Sequence, residues 1–321
     1  MKIGLIGCGR IGARHLDAYL KIGGTEVVVA DENEAAAKSL AEVLGVTAVA
    51  ADDLLSLDLD ALDVCVPSRF HPNWIMDGLA HGLSVFCEKP LCLNHRDALE
   101  IRETALAAKR NVVVGYLYRH HPAFQFMKEV IDDGVIGRPH LALARLGGRG
   151  SHQPWKHDAE GGGVVFEMMV HMLDLVRWLL GPIEDGRLLH QELLLPVRQI
   201  NGEALVARAA DCAVASLQAG GVRAICQSDL VTPSFMNYVE VQGDNGSVTG
   251  SILDSMPTMV YCNEPRGLFD RGHNQRAIMP VNLFVRELGE FVRTVAEGRF
   301  DPAPLTASVE LARFVDSLLG A

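Results

Sequence analysis

No block of lysine and arginine interrupts the acidic balance of this 321-residue chain, whose formal net charge is −11. A nucleic-acid partner needs a basic face, so no nucleic acid is expected, and the acidity is read as solubility. No run approaches the roughly 20 apolar residues of a membrane span, which leaves no membrane partner. No secretory leader is expected at the start. Met1-Lys2 runs straight into the short apolar stretch 3–6, which Gly7 ends, whereas a signal peptide needs a longer apolar region and a cleavage site. No CxxC pair occurs among the seven cysteines, at 8, 65, 87, 92, 212, 226 and 262. Cys65, Cys87 and Cys226 fall in strand-like runs, where a free cysteine behaves as a small buried hydrophobe. The expectation is a reducing, cytoplasmic location. Internal repeats and low-complexity segments are missing as well.

What is present is an ordinary globular balance, 49% apolar and 21% charged, in a chain long enough for two domains. Up to residue 116, short apolar runs (2–6, 26–30, 62–66, 84–87, 111–116) alternate with helix-period stretches (11–22, 33–44, 72–81, 94–110). Such alternation predicts a parallel sheet covered by helices on both faces. The texture then changes. A helix at 122–133, a strand at 140–146 and a Gly- and His-rich loop at 147–163 lead to a helix over 164–180, stopped by Gly181-Pro182. Strands with turn signals follow to about Tyr261, the mark of an antiparallel sheet, and helices near 282–297 and 306–319 close the chain. The reading is α/β, with a dinucleotide-binding domain over 1–119 and a substrate-binding and oligomerisation domain over 120–321. The last helix is free to pack back on the first domain.

Gly7-Cys8-Gly9-Arg10-Ile11-Gly12 follows the first strand at once and opens an amphipathic helix. The first glycine allows the turn, the second lets backbone approach a pyrophosphate, and the third lets helix and strand pack closely. The phosphates then meet the helix N-terminus, at the backbone of Arg10 and Ile11. Asp31 ends the second strand, where an acid hydrogen-bonds the ribose hydroxyls. Its charge repels a 2′-phosphate, and Glu32, Asn33 and Glu34 bring no arginine to bind one, so NAD is favoured over NADP.

Ligands of a doubly wound sheet sit beyond the carboxyl ends of its strands. Those ends carry Pro67-Ser68 with His71, Glu88-Lys89-Pro90, and Tyr118-Arg119. A lysine at this edge can stabilise a developing alkoxide or lower a neighbour's pKa. On the 164–180 helix, Glu167, His171 and Asp174 fall at i, i+4 and i+7 and share a face. His171 is a proton acceptor suited to neutral pH; a satisfied core histidine flanked by two carboxylates is the equal alternative.

These motifs resemble the family of glucose–fructose oxidoreductase, inositol dehydrogenase and the rhizopine-catabolism oxidoreductases (Gfo/Idh/MocA). The likeness runs along nearly the whole chain. It includes Gly12-Ala13-Arg14-His15, the Val64–Ser68 strand end with His71, and Glu88-Lys89-Pro90. It continues through Tyr118-Arg119 with Pro122, Gly161-Gly162-Gly163, His171 with Asp174, and the 243–247 hairpin. The resemblance implies a Rossmann domain followed by a domain with an open, mostly antiparallel sheet, which commonly forms the oligomer interface of a homodimer or homotetramer. It also implies that Lys89 and His171 flank the reacting carbon, with the counterpart of His171 as acid/base, and a cis Lys89–Pro90 bond. One departure stands out. Many relatives carry Asp and Gly where this chain has Glu167 and Met169, which puts the outline of the substrate in question.

The expected function is NAD-dependent hydride transfer at an alcohol carbon of a sugar, cyclitol or related polyhydroxylated molecule. Lys89, His171 and Glu167 are the catalytic candidates. Gly7, Gly9, Arg10, Ile11, Gly12, Asp31, Pro67, Ser68, His71, Glu88 and Lys89 are the cofactor contacts. Arg119, Trp155, Lys156, His157, His171 and Asp174 are the substrate contacts, with Trp155 equally readable as packing. No metal is expected. A retained-NAD oxidoreductase, a catalytically silent NAD-binding regulator and a carbon–carbon double-bond reductase are the rivals.

Overall fold

The structure, a computed structural model, describes residues 1–148, 153–158, 161–200, 202–233, 237–253 and 255–320. The expected loop at 147–163 and the turn at Asn201 fall partly outside these residues. The chain divides into two compact units: Met1–Leu117 with Asn282–Arg313, and Tyr118–Val281 with Phe314–Ala321.

The first unit opens β1 (Lys2–Ile6), α1 (Arg10–Ile22), β2 (Glu26–Ala30), α2 (Glu34–Leu44) and the two-residue β3 (Thr47–Ala48). It continues with β4 (Ala61–Val64), α3 (His71–Ala80), β5 (Ser84–Glu88), α4 (His95–Ala108) and β6 (Val112–Gly115). The six strands lie in the order β3-β2-β1-β4-β5-β6, all parallel. This is the doubly wound arrangement expected of strands that read as continuous apolar runs. Val27, Val28, Val29, Val85 and Phe86 are buried, each worth roughly 1.5–3 kcal/mol relative to exposure. Asn33 and Asn94 cap α2 and α4, accepting the N–H of Ala36 and of Asp97.

The second unit begins with α5 (Pro122–Asp132) and β7 (Pro139–Gly147). The expected single helix over 164–180 is two segments: a π-helical turn over Val165–Met169, then α6 (Val170–Leu180). Eight strands form one sheet. Besides β7 they are β8 (Ile183–Glu192), β11 (Cys212–Ala219), β12 (Val222–Asp229), β13 (Tyr238–Gly243), β14 (Gly246–Ser251), β15 (Thr258–Cys262) and β16 (Gly272–Arg276). Their order is β16-β15-β14-β13-β7-β12-β11-β8, with β7–β12 the one parallel pairing among neighbours that are otherwise antiparallel. A separate hairpin joins β9 (Val197–Ile200) to β10 (Glu203–Val206). Along β11, Ala213, Ala215, Leu217 and Ala219 are buried and their neighbours less so, the period-2 alternation of a strand with one covered face. α6 lies against β7, β11 and β12.

Two helices close the chain: α7 (Leu283–Ala296) and α8 (Ala303–Leu319). α7 belongs to the first unit because its apolar stripe, Phe284, Leu288, Phe291 and Val295, joins the cluster built by Leu16 and Tyr19 of α1 with Ile3 and Leu5 of β1. Four apolar positions spaced by three or four residues make one helix face. Residues of α8 up to Arg313 belong to the first unit and the rest to the second. Cys87 and Cys226 are fully buried free thiols, while Cys65 is half-buried.

Candidate active site

The turn between β1 and α1 is closed by its glycines. Gly7 has φ +101°, and a Cβ there would lie 2.6 Å from the Cys65 backbone. A Cβ on Gly12 would fall 1.9 Å from the Gly7 carbonyl oxygen. Gly9 differs: a Cβ on it would meet no atom within 4 Å. Its missing side chain therefore opens space in front of the turn, where a pyrophosphate can come up to the backbone. Gly9 is also the N-cap of α1, so the first N–H groups of the helix, including those of Arg10 and Ile11, face outward without helical acceptors. At the end of β2, Asp31 accepts the N–H of Cys8 through Oδ2 at 2.7 Å and that of Asn33 through Oδ1 at 2.8 Å. Those bonds orient the carboxylate and leave lone pairs for the two hydroxyls of a ribose. The residues fit NAD.

Beyond β4, Ser68 is buried and follows Pro67 into a short 3₁₀ turn ahead of α3. His71, buried at the start of α3, places Nδ1 2.7 Å from the carbonyl oxygen of Pro90 and Nε2 2.9 Å from that of Val66. It thus ties together the chain segments that leave β4 and β5. Burial pushes its pKa down, against the pull of both carbonyls. The Lys89–Pro90 bond is cis. The Lys89 N–H donates to Glu88 Oε2 at 3.1 Å, and the other Glu88 oxygen lies 3.2 Å from His15 Nε2.

His15, Asp63 and Cys65 bring one ligand-type atom each within 4.8 Å of one another. Burial and the Asp63 charge push the Cys65 thiol far above its ordinary value, so it stays protonated and the group holds together by hydrogen bonds. The involvement of His15 and Asp63 was hidden in the sequence, because they lie 48 residues apart.

In the second unit, His171 lies on the first turn of α6, and its ring centroid is 4.9 Å from that of Tyr118. The sequence placed Tyr118 at a strand end but gave it no role. Burial and the Glu167 charge push its hydroxyl up to about 12, so it is a donor at neutral pH. Glu167 sits in the π turn and forms a short ion pair with Lys156. Met169 is fully buried. Asp174 is buried and is held by Arg119 at two points, Nε to Oδ2 at 2.7 Å and Nη2 to Oδ1 in a shorter contact. Burial pushes the Asp174 carboxyl up, and Arg119 draws it part of the way back. Glu167 and Asp174, read as sharing a face with His171, thus each take a cationic partner. The Lys156 ammonium lies 5.3 Å from the Trp155 ring centre. His157 is buried, and its carbonyl accepts the N–H groups of Arg208 and Ala209. Of the three-glycine turn, Gly162 has φ +76°, and a Cβ there would come within 2.3 Å of Phe166.

A parallel sheet in this strand order, with an open glycine turn after β1 and an acid after β2, defines a dinucleotide-binding domain. Comparison with known proteins makes the assignment specific. Residues 1–116 match the model of the GFO_IDH_MocA oxidoreductase family, NAD-binding Rossmann fold, and residues 124–249 match the GFO/IDH/MocA C-terminal domain. The chain belongs to this family, and its first unit is an NAD-binding Rossmann domain. An inositol 2-dehydrogenase of Burkholderia vietnamiensis is 31% identical over 188 residues, 56% of this chain and 55% of that protein. The chain thus spans about half the length of the curated relatives it matches at that level. A myo-inositol 2-dehydrogenase of Thermotoga maritima is 25% identical over 93% of this chain and 89% of its own. A levoglucosan dehydrogenase solved with NADH and L-sorbose shares the fold, with a TM-score of 0.89, 19% identity, and coverage of 100% of this chain and 96% of that one.

Proposed function

We propose that this chain is an NAD-dependent dehydrogenase that moves a hydride between the nicotinamide and an alcohol carbon of a sugar, a cyclitol or a related polyhydroxylated molecule. The observation that carries the reading is the position of Lys89 directly beyond β5, on the same carboxyl edge of the parallel sheet as the Gly7–Gly12 turn and Asp31. Relatives named as inositol 2-dehydrogenases support a cyclitol.

NAD, when bound, supplies the hydride acceptor. His171 takes the alcohol proton in oxidation and returns it in reduction. Lys89 stabilises the oxygen as charge develops on it. Glu167 tunes the pair from its place beside Lys156 and Tyr118. Gly7, Gly9, Gly12 and the first N–H groups of α1 hold the pyrophosphate, and Asp31 holds the ribose and disfavours a 2′-phosphate. Pro67, Ser68, His71 and Glu88 shape the nicotinamide edge. Arg119, Trp155, Lys156, His157 and Asp174 hold or frame the hydroxyls of the substrate. The protein works in the cytoplasm as a homodimer or homotetramer assembled through the C-terminal sheet. Leu189 of the edge strand β8, 50% exposed, supports that interface.

The test is a screen of cyclitols and aldoses with NAD and NADP in parallel, following reduced dinucleotide, combined with calorimetric titration of both cofactors. Oxidation of one polyol class with NAD, and weaker NADP binding, is the expected result. NAD binding without turnover of any polyol would favour the silent regulator. Cofactor that stays bound through purification and is reduced and reoxidised on one substrate would favour the retained-NAD reading.

A further inference from the structure

We propose that His15 is a positioning residue for Lys89, acting through the Glu88 carboxylate. The inference rests on the role given to Lys89 above. His15 lies in α1, three residues beyond Gly12, and its side chain is completely buried. Its Nδ1 is 2.9 Å from Asp63 Oδ2, on β4, and its Nε2 is 3.2 Å from Glu88 Oε1, at the end of β5. A neutral imidazole carries one N–H and can serve only one of these carboxylates; its other nitrogen would point a lone pair at the second. Only the doubly protonated ring donates to both.

The surroundings favour that state. Phe86 and Phe284 close on the ring, with centroids 5.6 Å and 5.3 Å away, so solvent cannot stand in for a missing partner. The other titratable groups nearby are Cys65 beyond β4, Tyr19 on α1 and Glu287 on α7; burial first, and then Asp63, hold the Tyr19 hydroxyl in its protonated form. Burial of His15 opposes its charge, but Asp63, together with Cys65, whose sulfur lies 3.3 Å from Nδ1, raises the ring well above its ordinary range. Burial likewise opposes charge on Glu88, while His15 and Lys89 hold it below the usual carboxylate value.

The consequence reaches the lysine through one side chain. Glu88 Oε1 is taken by His15, and Glu88 Oε2 accepts the backbone N–H of Lys89. Both oxygens being engaged, the carboxylate cannot rotate, and it fixes the main chain from which Lys89 extends. Across the turn, His71 grips the Pro90 carbonyl. A lysine rooted in this way leaves the turn from a fixed backbone. A reacting group displaced by about 1 Å costs on the order of 100-fold in rate, so holding Lys89 at its root matters to turnover. A well-packed apolar residue in place of a buried ion pair is often neutral or stabilising, so core packing alone gives no reason for this ring.

The experiment has two arms on the full-length protein. Nitrogen-15 shifts of the His15 ring should show both nitrogens protonated at neutral pH; a ring with one proton overturns the proposal. In the kinetic arm, turnover of the alcohol identified by the polyol screen is compared for wild type, His15→Gln, Lys89→Met and the double variant. His15→Gln should lower kcat about 10- to 100-fold and leave KM for NAD within about two-fold, since the glycine turn and Asp31 are untouched. In the Lys89→Met background the same change should cost nothing further. A full, independent loss there would mean that His15 acts elsewhere and would sink the idea. Should His15→Gln fail to fold, Glu88→Gln cuts the same link at nearly constant volume and should lower kcat to the same extent, again with no further loss in the Lys89→Met background. Wild-type turnover in Lys89→Met would instead defeat the proposed function, while leaving the ring's protonation as measured.

Discussion

Charge is buried in two different ways in the two units. In the first, His15, Asp63 and Glu88 close on one another inside the core, with side-chain exposures of 0%, 0% and 16%. In the second, Lys156–Glu167 and Arg119–Asp174 are pairs whose cationic members are 13% and 22% exposed. The contrast is one of arrangement: the first unit sets one fully buried histidine between two carboxylates, whereas the second matches each acid with a partly exposed cation.

Four measurements would break or sharpen that contrast. The largest effect belongs to the open side: His171→Ala should lower turnover by about 10²–10⁴-fold, while NAD affinity by calorimetry barely changes. Near-wild-type turnover with an intact fold would remove the proton-transfer role and favour the regulator or the double-bond reductase. Next is the closed network. Asp63→Asn leaves the His15 charge without its nearest counter-charge and should cost about 3–5 kcal/mol in denaturant unfolding; a loss well under that would mean the ring is neutral.

Third, Asp31→Ala should weaken NAD by about 1.5–3 kcal/mol, or about 10- to 100-fold, and narrow the gap to NADP. An unchanged ratio of the two affinities would take cofactor choice away from Asp31. The smallest effect is outside both regions. Lys128 pairs with Asp132 on α5 at 29% and 56% exposure, and Lys128→Ala should cost about 0.5 kcal/mol or less.

The network also sets a pH dependence. The His15 pKa is raised on folding, so the stability it adds is complete below the ordinary imidazole range, about 6.5, and is lost as pH rises through the folded value. Glu88 is lowered on folding, so its contribution is present above about pH 4.3 and is lost as pH falls through its folded value. Unfolding free energy measured against pH should therefore decline on the alkaline side in the wild type and decline less in His15→Gln.

The parallel sheet was legible because its strands, buried on both faces, read as unbroken apolar runs, and because such a sheet puts all its carboxyl ends on one edge. Glu88-Lys89-Pro90 could be placed from the end of one run alone. β3 was not seen, since two residues, Thr47 and Ala48, carry no pattern. The antiparallel sheet announced its turns but has no shared edge, so the chemistry of the second unit had to be read from helix spacing. That spacing missed the π turn, because one additional residue in a segment as apolar as 164–170, broken only by Glu167, leaves the pattern unchanged. The partners of Glu167 and Asp174 lie 11 and 55 residues away, distances on which local periodicity is silent. The membership of α7 in the first unit was equally hidden, because it is decided by the packing of Leu288 and Phe291 against α1.

The wide turn over Val165–Met169 can be thought of as a single-residue insertion in an otherwise regular helix. It absorbs that residue without shifting α6, so the phase between Glu167 and His171 is set by chain length as much as by side-chain identity. Deleting Met168 or Met169 should restore ordinary pitch and bring Glu167 to three residues before His171, changing the angle between them around the axis. The composition of the helix would hardly change, yet its carboxylate would face elsewhere.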